Sequence, residues 1–129
     1  MPNLIRNDAA FGAIVKSLDG LSLRSRAITN NVANVDTPGF KTSEVSFEEE
    51  LAAAVNRPSP DTFQMVSTNA AHFGVSMSRP NIEDIQAKTQ VLSGNTMRND
   101  GNNVDIDREM VRLAETQIQF SAATAFTNN

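Results

Sequence analysis

The chain has 129 residues, of which 40% are hydrophobic and 20% are charged, so it has room for one modest hydrophobic core. Eleven basic and 15 acidic residues are spread along it, and the resulting net charge of −4 excludes the basic surface that nucleic-acid binding requires. Because cysteine is absent, disulfides, thiolate metal sites and thiol nucleophiles are excluded as well.

The amino terminus has the composition of neither a membrane span nor a leader. No run approaches the roughly 20 apolar residues that cross a bilayer. The start, Met1 to Arg6, lacks the apolar core of a signal peptide. We therefore expect residues 1–129 to form a single unit without a cleaved signal peptide.

A heptad pattern runs through the first part of the chain and predicts a helix over residues 8–35. Apolar residues recur there at alternating spacings of three and four, with polar residues between them, as in an amphipathic helix with a narrow apolar stripe. Asn7 or Asp8 is the expected N-cap. The positions of this stripe are Phe11, Ile14, Leu18, Leu21, Ser25, Ile28, Val32 and Val35.

A stop signal follows this helix. Pro38 disfavours a helical conformation at Thr37, and Gly39 supplies a position of positive φ. Phe40 can fold back onto the end of the helix. The segment has no phosphate-binding glycine pattern and no nucleophile beside a base, so we interpret it as a turn that redirects the chain.

Residues 36–98 are expected to form this turn, a short helix and an irregular middle segment. Ser46 to Glu49 matches a capping box, which predicts a short helix from Ser46 to Val55. Residues 57–80 are expected to be loop or weak strand. Residues 82–92 are compatible with either a strand or a brief helix.

A second amphipathic helix is predicted over residues 104–126, after a turn at 99–103. Asp105 is placed as its N-cap, and Asp107 and Glu109 lie near the positive end of the helix dipole. Its apolar stripe consists of Ile106, Met110, Leu113, Gln117, Phe120 and Thr124, broadened on one flank by Val111, Ala114 and Ile118.

Neither stripe can be buried by its own helix, so each needs a partner. The first candidate is the other terminal helix of the same chain, and the second is a helix of a neighbouring subunit. The expected fold is mainly α, with terminal helices paired as a coiled coil and room for minor β structure in the middle. The positions expected at an assembly interface are Phe11, Ile14, Leu18, Leu21, Ile28, Val32, Ile106, Met110, Leu113 and Phe120.

Three features superficially match catalytic or metal-binding sites. His72, the single histidine, has no recognisable nucleophile or orienting carboxylate, which favours a packing or hydrogen-bonding role. The carboxylates of Glu48 to Glu50 diverge by about 100° per residue on a helix, which favours a solvated face. Asp100 to Asp107 lacks the glycine and glutamate of an EF-hand loop and is explained by a turn and a helix cap. We therefore assign no catalytic residue, metal site or cofactor.

The segment Asn30 to Lys41 resembles the amino-terminal motif of bacterial flagellar rod and hook proteins. In that family the motif joins a long helix to a sharp turn. The short chain length and the segments Thr68 to Phe73 and Arg98 to Met110 are similar to the proximal-rod types. The residues that carry the motif here are Asn31, Asn34, Thr37, Pro38, Gly39 and Phe40.

The resemblance implies a structural subunit and not an enzyme. Its terminal helices would pair and pack against neighbours in the inner tube of a helical rod, which crosses the periplasm, transmits torque and surrounds an export channel. The implied partners are copies of itself, other rod proteins, the adaptor between membrane ring and rod, and the flagellar type III export apparatus, with no nucleic acid or small-molecule substrate. A soluble coiled-coil adaptor or an export-chaperone-like binding module is the alternative.

The resemblance also implies terminal helices that are poorly ordered in the unassembled subunit. Asn30, Asn31 and Asn34 lower the helix propensity near the end of the first helix, which is consistent with that implication.

Overall fold

The computed structural model describes residues 4–56, 81–94 and 98–127, with side chains from Ala10 onward. The expectations for residues 57–80, including the role of His72, lie outside the described residues. The chain is mainly helical with one small antiparallel sheet, which confirms the expected fold class. Its elements are α1 (Leu4–Ala33), β1 (Ser43–Ser46), α2 (Glu48–Val55), a 3-10 helix (Ile82–Asp84), β2 (Lys88–Val91) and α3 (Ile106–Thr127).

The two long terminal helices pack against each other. Helix α1 begins at Leu4, so Asn7 and Asp8 lie inside it, and the prediction that either caps the helix is wrong. Leu4 precedes Phe11 by one heptad, so the apolar repeat continues past these polar residues. Within the described residues, no helix is long and apolar enough to cross a membrane.

The start of α3 is as predicted. Oδ1 of Asp105 accepts hydrogen bonds from the backbone N–H groups of Asp107, at 3.1 Å, and Arg108, at 3.2 Å. These bonds satisfy two of the four donors that a helix leaves unpaired at its amino terminus.

The predicted capping box at the start of α2 is wrong. Ser46 is the last residue of β1, and Phe47 occupies the N-cap position without a capping side-chain bond. The ring of Phe47 is buried against Leu21 and Val45 in the main hydrophobic cluster. Burial of this large apolar side chain therefore decides where α2 begins, in place of the capping preference of serine.

The core lies where α1 crosses β1 and α2. A Cβ atom on Gly20 of α1 would lie 2.6 Å from the ring of Phe47, so glycine is what permits this close packing. Leu21 and Ile28 are only 4% and 3% exposed. Both were expected at an assembly interface, but their side chains lie in the interior of the subunit.

Strands β1 and β2 pair antiparallel, with Ser43 opposite Val91 and Ser46 opposite Lys88. Residues 82–92 therefore contain both of the alternatives left open by the sequence, a short helical turn followed by a strand.

The acidic run in α2 is only partly a solvated face. Glu48 forms an ion pair with Arg24, and Glu50 forms one with Lys88. Partial burial would raise the pKa of Glu48, but hydrogen bonds from Arg24 and from backbone N–H groups lower that pKa below its ordinary value. Arg24 also lies 5.0 Å from the centre of the Phe47 ring, so this ion pair fastens α2 to α1 beside the core.

Candidate functional site at the junction of the terminal helices

Asn31 connects three elements at the end of α1. Its side chain is fully buried, with 0% exposure. Its Nδ2 donates to the backbone oxygen of Ser43 and to Oε2 of Glu109, each at 2.9 Å. Its Oδ1 accepts from the backbone N–H of Ser43, also at 2.9 Å. The amide therefore ties α1 to β1 and to α3 at one point.

Glu109 is a buried carboxylate, with 2% exposure, in the first turn of α3. Besides Asn31, it has Arg112 at 3.6 Å, and Arg112 extends to Glu44 of β1 at 2.9 Å. A buried charge is costly unless it is paired and hydrogen-bonded, and Glu109 has both kinds of partner. The sequence placed Glu109 correctly in the first turn of α3, but the heptad pattern did not predict its contact with Asn31 of α1.

Asn102, from a distant part of the chain, caps the turn that follows α1. Its Nδ2 lies 2.9 Å from the backbone oxygen of Asn34, 3.0 Å from that of Val35 and 2.8 Å from that of Thr37. Its Oδ1 accepts from the backbone N–H of Val104 at 2.7 Å. These three residues follow Ala33, the last residue of α1, so Asn102 holds the turn that leaves the helix.

Two glycines meet beside this cap. Gly39 has φ +73°, as predicted, and Gly101 has φ +77°. The backbone N–H of Gly39 donates to the oxygen of Asp100 at 2.9 Å, and Nζ of Lys41 donates to the oxygen of Gly101 at 2.7 Å. The turn of the motif and the turn at 99–103 therefore interlock.

Asn103 links this junction to the sheet. Its Oδ1 accepts from the backbone N–H of Thr42 at 2.7 Å, and its Nδ2 donates to the oxygen of Leu92 at 2.8 Å. In the described part of the chain, no buried side-chain nitrogen or oxygen lacks a hydrogen-bond partner. The site is thus a closed structural network.

The remaining motif residues lie at the rim of the junction. The hydroxyl of Thr37 donates to Oδ1 of Asn34 at 3.2 Å. Pro38 is exposed, and Phe40 is half-buried. The structure therefore brings Asn31, Asn34, Thr37 and Gly39 into contact with residues 98–109. The sequence predicted a turn at 99–103 but did not predict that this turn contacts the motif.

The predicted stripe on α3 does not coincide with the face that packs against α1. The buried residues of α3 are Glu109 and Thr116. Ile106, Met110 and Phe120 are exposed, whereas Leu113 is half-buried. On α1, Phe11 is exposed, and Ile14, Leu18 and Val32 are half-buried.

A further row of exposed residues runs along the side of α3 that points away from α1. We call it the outer stripe, and it consists of Val111, Ala114, Ile118, Ser121 and Ala125, spaced alternately by three and four. Ile118 is 70% exposed and Val111 is 59% exposed. Surface helices normally carry polar residues on that side, so α3 has a second apolar face. The sequence placed Val111, Ala114 and Ile118 on the flank of the predicted apolar stripe, because periodicity alone does not determine which side of a helix faces inward.

Residues 20–41, which include the whole motif from Asn30 to Lys41, match a family model described as flagella basal body rod protein. The chain is 36% identical over 107 residues to the flagellar basal body rod protein FlgB of Borreliella burgdorferi, covering 83% of this chain and 78% of that protein. It is 35% identical over 107 residues to FlgB of Bacillus subtilis, covering 82% and 74%. It is 27% identical over 115 residues to FlgB of Escherichia coli, covering 88% and 80%. The motif, the mainly helical fold and these similarities together show that the chain belongs to the FlgB family of flagellar basal body rod proteins.

Proposed function

We propose that this chain is a structural subunit of the proximal rod of the bacterial flagellum and acts by assembly, without catalysis. It polymerises helically through its terminal helices with copies of itself and with other rod proteins. The product is the torque-transmitting rod around the export channel.

The observation that carries this proposal is the outer stripe of α3. Contiguous exposed apolar residues on a helix mark interaction surfaces, because leaving them in water forgoes the free energy of burial. Ile106 and Met110 add exposed apolar area near the start of the same helix, and Phe11 adds it on α1. A contact between different surfaces of identical subunits builds a helical filament when its rotation does not close into a ring.

The proposal includes a cellular setting, which membership of the rod-protein family supports. The subunit is made in the cytoplasm, exported by the flagellar type III apparatus and incorporated where the rod crosses the periplasm. The adaptor between the membrane ring and the rod is a further partner. A soluble adaptor or export-chaperone-like module is not favoured, because the related proteins are rod proteins and the outer stripe remains uncovered by the described residues.

The test is Ile118→Asp, expressed in place of the native protein. A charge at this exposed position leaves the fold intact but opposes burial against a neighbour. We expect normal expression, export and helical content, together with loss of the subunit from purified basal bodies and loss of swimming. Ser93→Asp adds the same charge at an exposed loop position and should swim normally. Normal swimming and incorporation of Ile118→Asp would overturn the proposal.

A further inference from the structure

A shallow groove lies where the three α-helices meet. Its volume is about 550 Å³, and its floor reaches Leu21 and Phe47 of the main hydrophobic cluster. The groove is open to solvent, since Val55 on its wall is 51% exposed. We call it the apolar groove, and it is lined chiefly by Ala13, Ser17, Ala52, Val55, Ala122 and Ala123. Most of these side chains are small, so they leave room for a larger apolar side chain from outside.

The charges around the groove determine what kind of surface can fill it. Among the described residues that line it, Glu48 alone is charged, and Arg24 forms an ion pair with it. A charged occupant would lose its hydration there without gaining a partner. The apolar groove therefore fits an uncharged occupant with protruding aliphatic side chains.

The outer stripe of α3 has these properties. Its five residues carry no charge, and Ile118, which is 70% exposed, is the largest side chain near its middle. The stripe from Ala114 to Ser121 covers about 10 Å of helix, and the α1 part of the groove, from Ala13 to Leu21, covers about 12 Å. The two surfaces therefore match in length as well as in chemistry, as a ridge of side chains on one helix matches a groove between others.

One subunit cannot bring its own outer stripe into its own apolar groove. Helix α3 supplies Ala122 and Ala123 to the groove, and a helix does not insert into a groove that it borders. Ile118 lies one turn before Ala122 and points away from α1, so a second copy of the chain offers the same stripe to this groove. Copies related by a screw axis keep one direction along that axis, so the inserted helix would run parallel to the α3 beside it.

We propose that the outer stripe of each subunit packs into the apolar groove of a neighbouring copy, beside the α3 of that copy. This inference rests on the proposed function and names the surface that receives the stripe. The groove forms where α1 and α3 are paired, so the contact belongs to the assembled rod and stabilises the paired helices there. The unassembled subunit has no neighbour and lacks this contribution.

The experiment detects disulfides between subunits in isolated basal bodies, since the native chain has no cysteine. Cells express two single-cysteine variants together with the native chain. One variant carries Ala52→Cys in the groove, and the other carries Ala114→Cys or Ser121→Cys in the outer stripe. Ala53→Cys is the matched control for Ala52→Cys, because Ala53 is exposed on the same helix but does not line the groove.

After oxidation, we expect a disulfide-linked dimer when Ala52→Cys is combined with a stripe variant, because a disulfide requires two Cα atoms within about 7 Å. We expect no dimer when Ala53→Cys takes its place, or from any single variant alone. The absence of a dimer with Ala52→Cys, or an equal yield with Ala53→Cys, would overturn the inference. Dimers formed by a stripe variant alone would also overturn it, because they show the outer stripe packing against itself.

A second measurement fills the groove without cysteine chemistry. The indole of Ala52→Trp would occupy the space that Ile118 needs, so we expect loss of the subunit from basal bodies and loss of swimming. Ala53→Trp adds the same side chain outside the groove and should keep both. Equal incorporation of the two tryptophan variants would contradict the pairing of these surfaces. If Ile118→Asp is lost from basal bodies but no Ala52→Cys dimer forms, the proposed function stands and this inference fails.

Discussion

At the junction, the side chains of two asparagines take the place of backbone groups as hydrogen-bond partners of the main chain. Asn31 pairs with both backbone groups of Ser43, as a neighbouring strand would. Asn102 donates to three carbonyl oxygens of the turn that follows α1. An amide can do this because it both donates and accepts. The low helix propensity of Asn31 is therefore offset by contacts that a better helix former could not make.

Replacing Asn102 by alanine tests the cap at this scale. The change removes one of the two donors to each of the oxygens of Asn34, Val35 and Thr37, so we expect the free energy of unfolding to fall by roughly 1–3 kcal/mol. Urea unfolding followed by circular dichroism measures the difference. Asn99→Ala, at an exposed position of the same turn, should change stability by less than about 0.5 kcal/mol. Equal stabilities for the two variants would contradict the assigned role of Asn102.

At the scale of elements, side-chain packing determines two features that local residue preferences would not predict: where α2 begins and why a glycine lies inside α1. Phe47 starts α2 at a position where its ring is buried, although Ser46 has the better capping side chain. Gly20 lies inside α1, where glycine is unfavourable, because the Phe47 ring occupies the space of a side chain. The two departures from local rules therefore have the same cause.

Two glycines of α1 provide a matched test. Alanine is favoured over glycine inside a helix by about 1 kcal/mol. Gly12→Ala should gain most of that amount, because its Cβ would meet Ile82 at an ordinary distance of 3.6 Å. Gly20→Ala should instead lose about 1–3 kcal/mol through overpacking against Phe47. Thermal unfolding of both variants checks this, and a change of the same sign in both would show that the contact with Phe47 does not control the site.

At the scale of the whole molecule, the contacts that stabilise the fold and the surface that we assign to assembly involve different residues of the subunit. The junction and the core bury Asn31, Leu21 and Glu109. The outer stripe lies on the far side of α3, so it can change without altering that interior. This separation lets a small chain fold as a unit and still present an apolar surface to neighbours.

The separation predicts different effects for serine substitutions on the two sides of α3: those on the outer stripe should weaken self-association, and one on the side toward α1 should lower stability. Val111→Ser combined with Ile118→Ser should leave the free energy of unfolding within about 0.5 kcal/mol, because both side chains are exposed. The same pair should reduce the concentration-dependent self-association measured by sedimentation velocity. Leu113→Ser, at a half-buried position on the side of α3 toward α1, should lower the free energy of unfolding by about 1–3 kcal/mol. A wild-type chain that stays monomeric at every concentration would refute the assignment of the outer stripe to self-association.

The features that sequence alone determined are local ones. Heptad spacing identified both terminal helices, Asp105 was recognised as a cap, and Gly39 as a position of positive φ, because each depends on residues a few positions apart. The motif from Asn30 to Lys41 indicated the family for the same reason. Composition also excluded cysteine chemistry without any structural information.

Only the tertiary structure decided which surfaces meet. The stripe predicted on α3 omits Glu109 and Thr116, which are the buried residues of that helix, since a periodic pattern specifies a repeat and not the direction that it faces. Asn31 and Glu109 are 78 positions apart, and neither has a sequence signal that points to the other. Their contact exists because the cap at the end of α1 brings the start of α3 beside it. Burial then increases the energetic cost of losing that hydrogen bond, because water is excluded as an alternative partner.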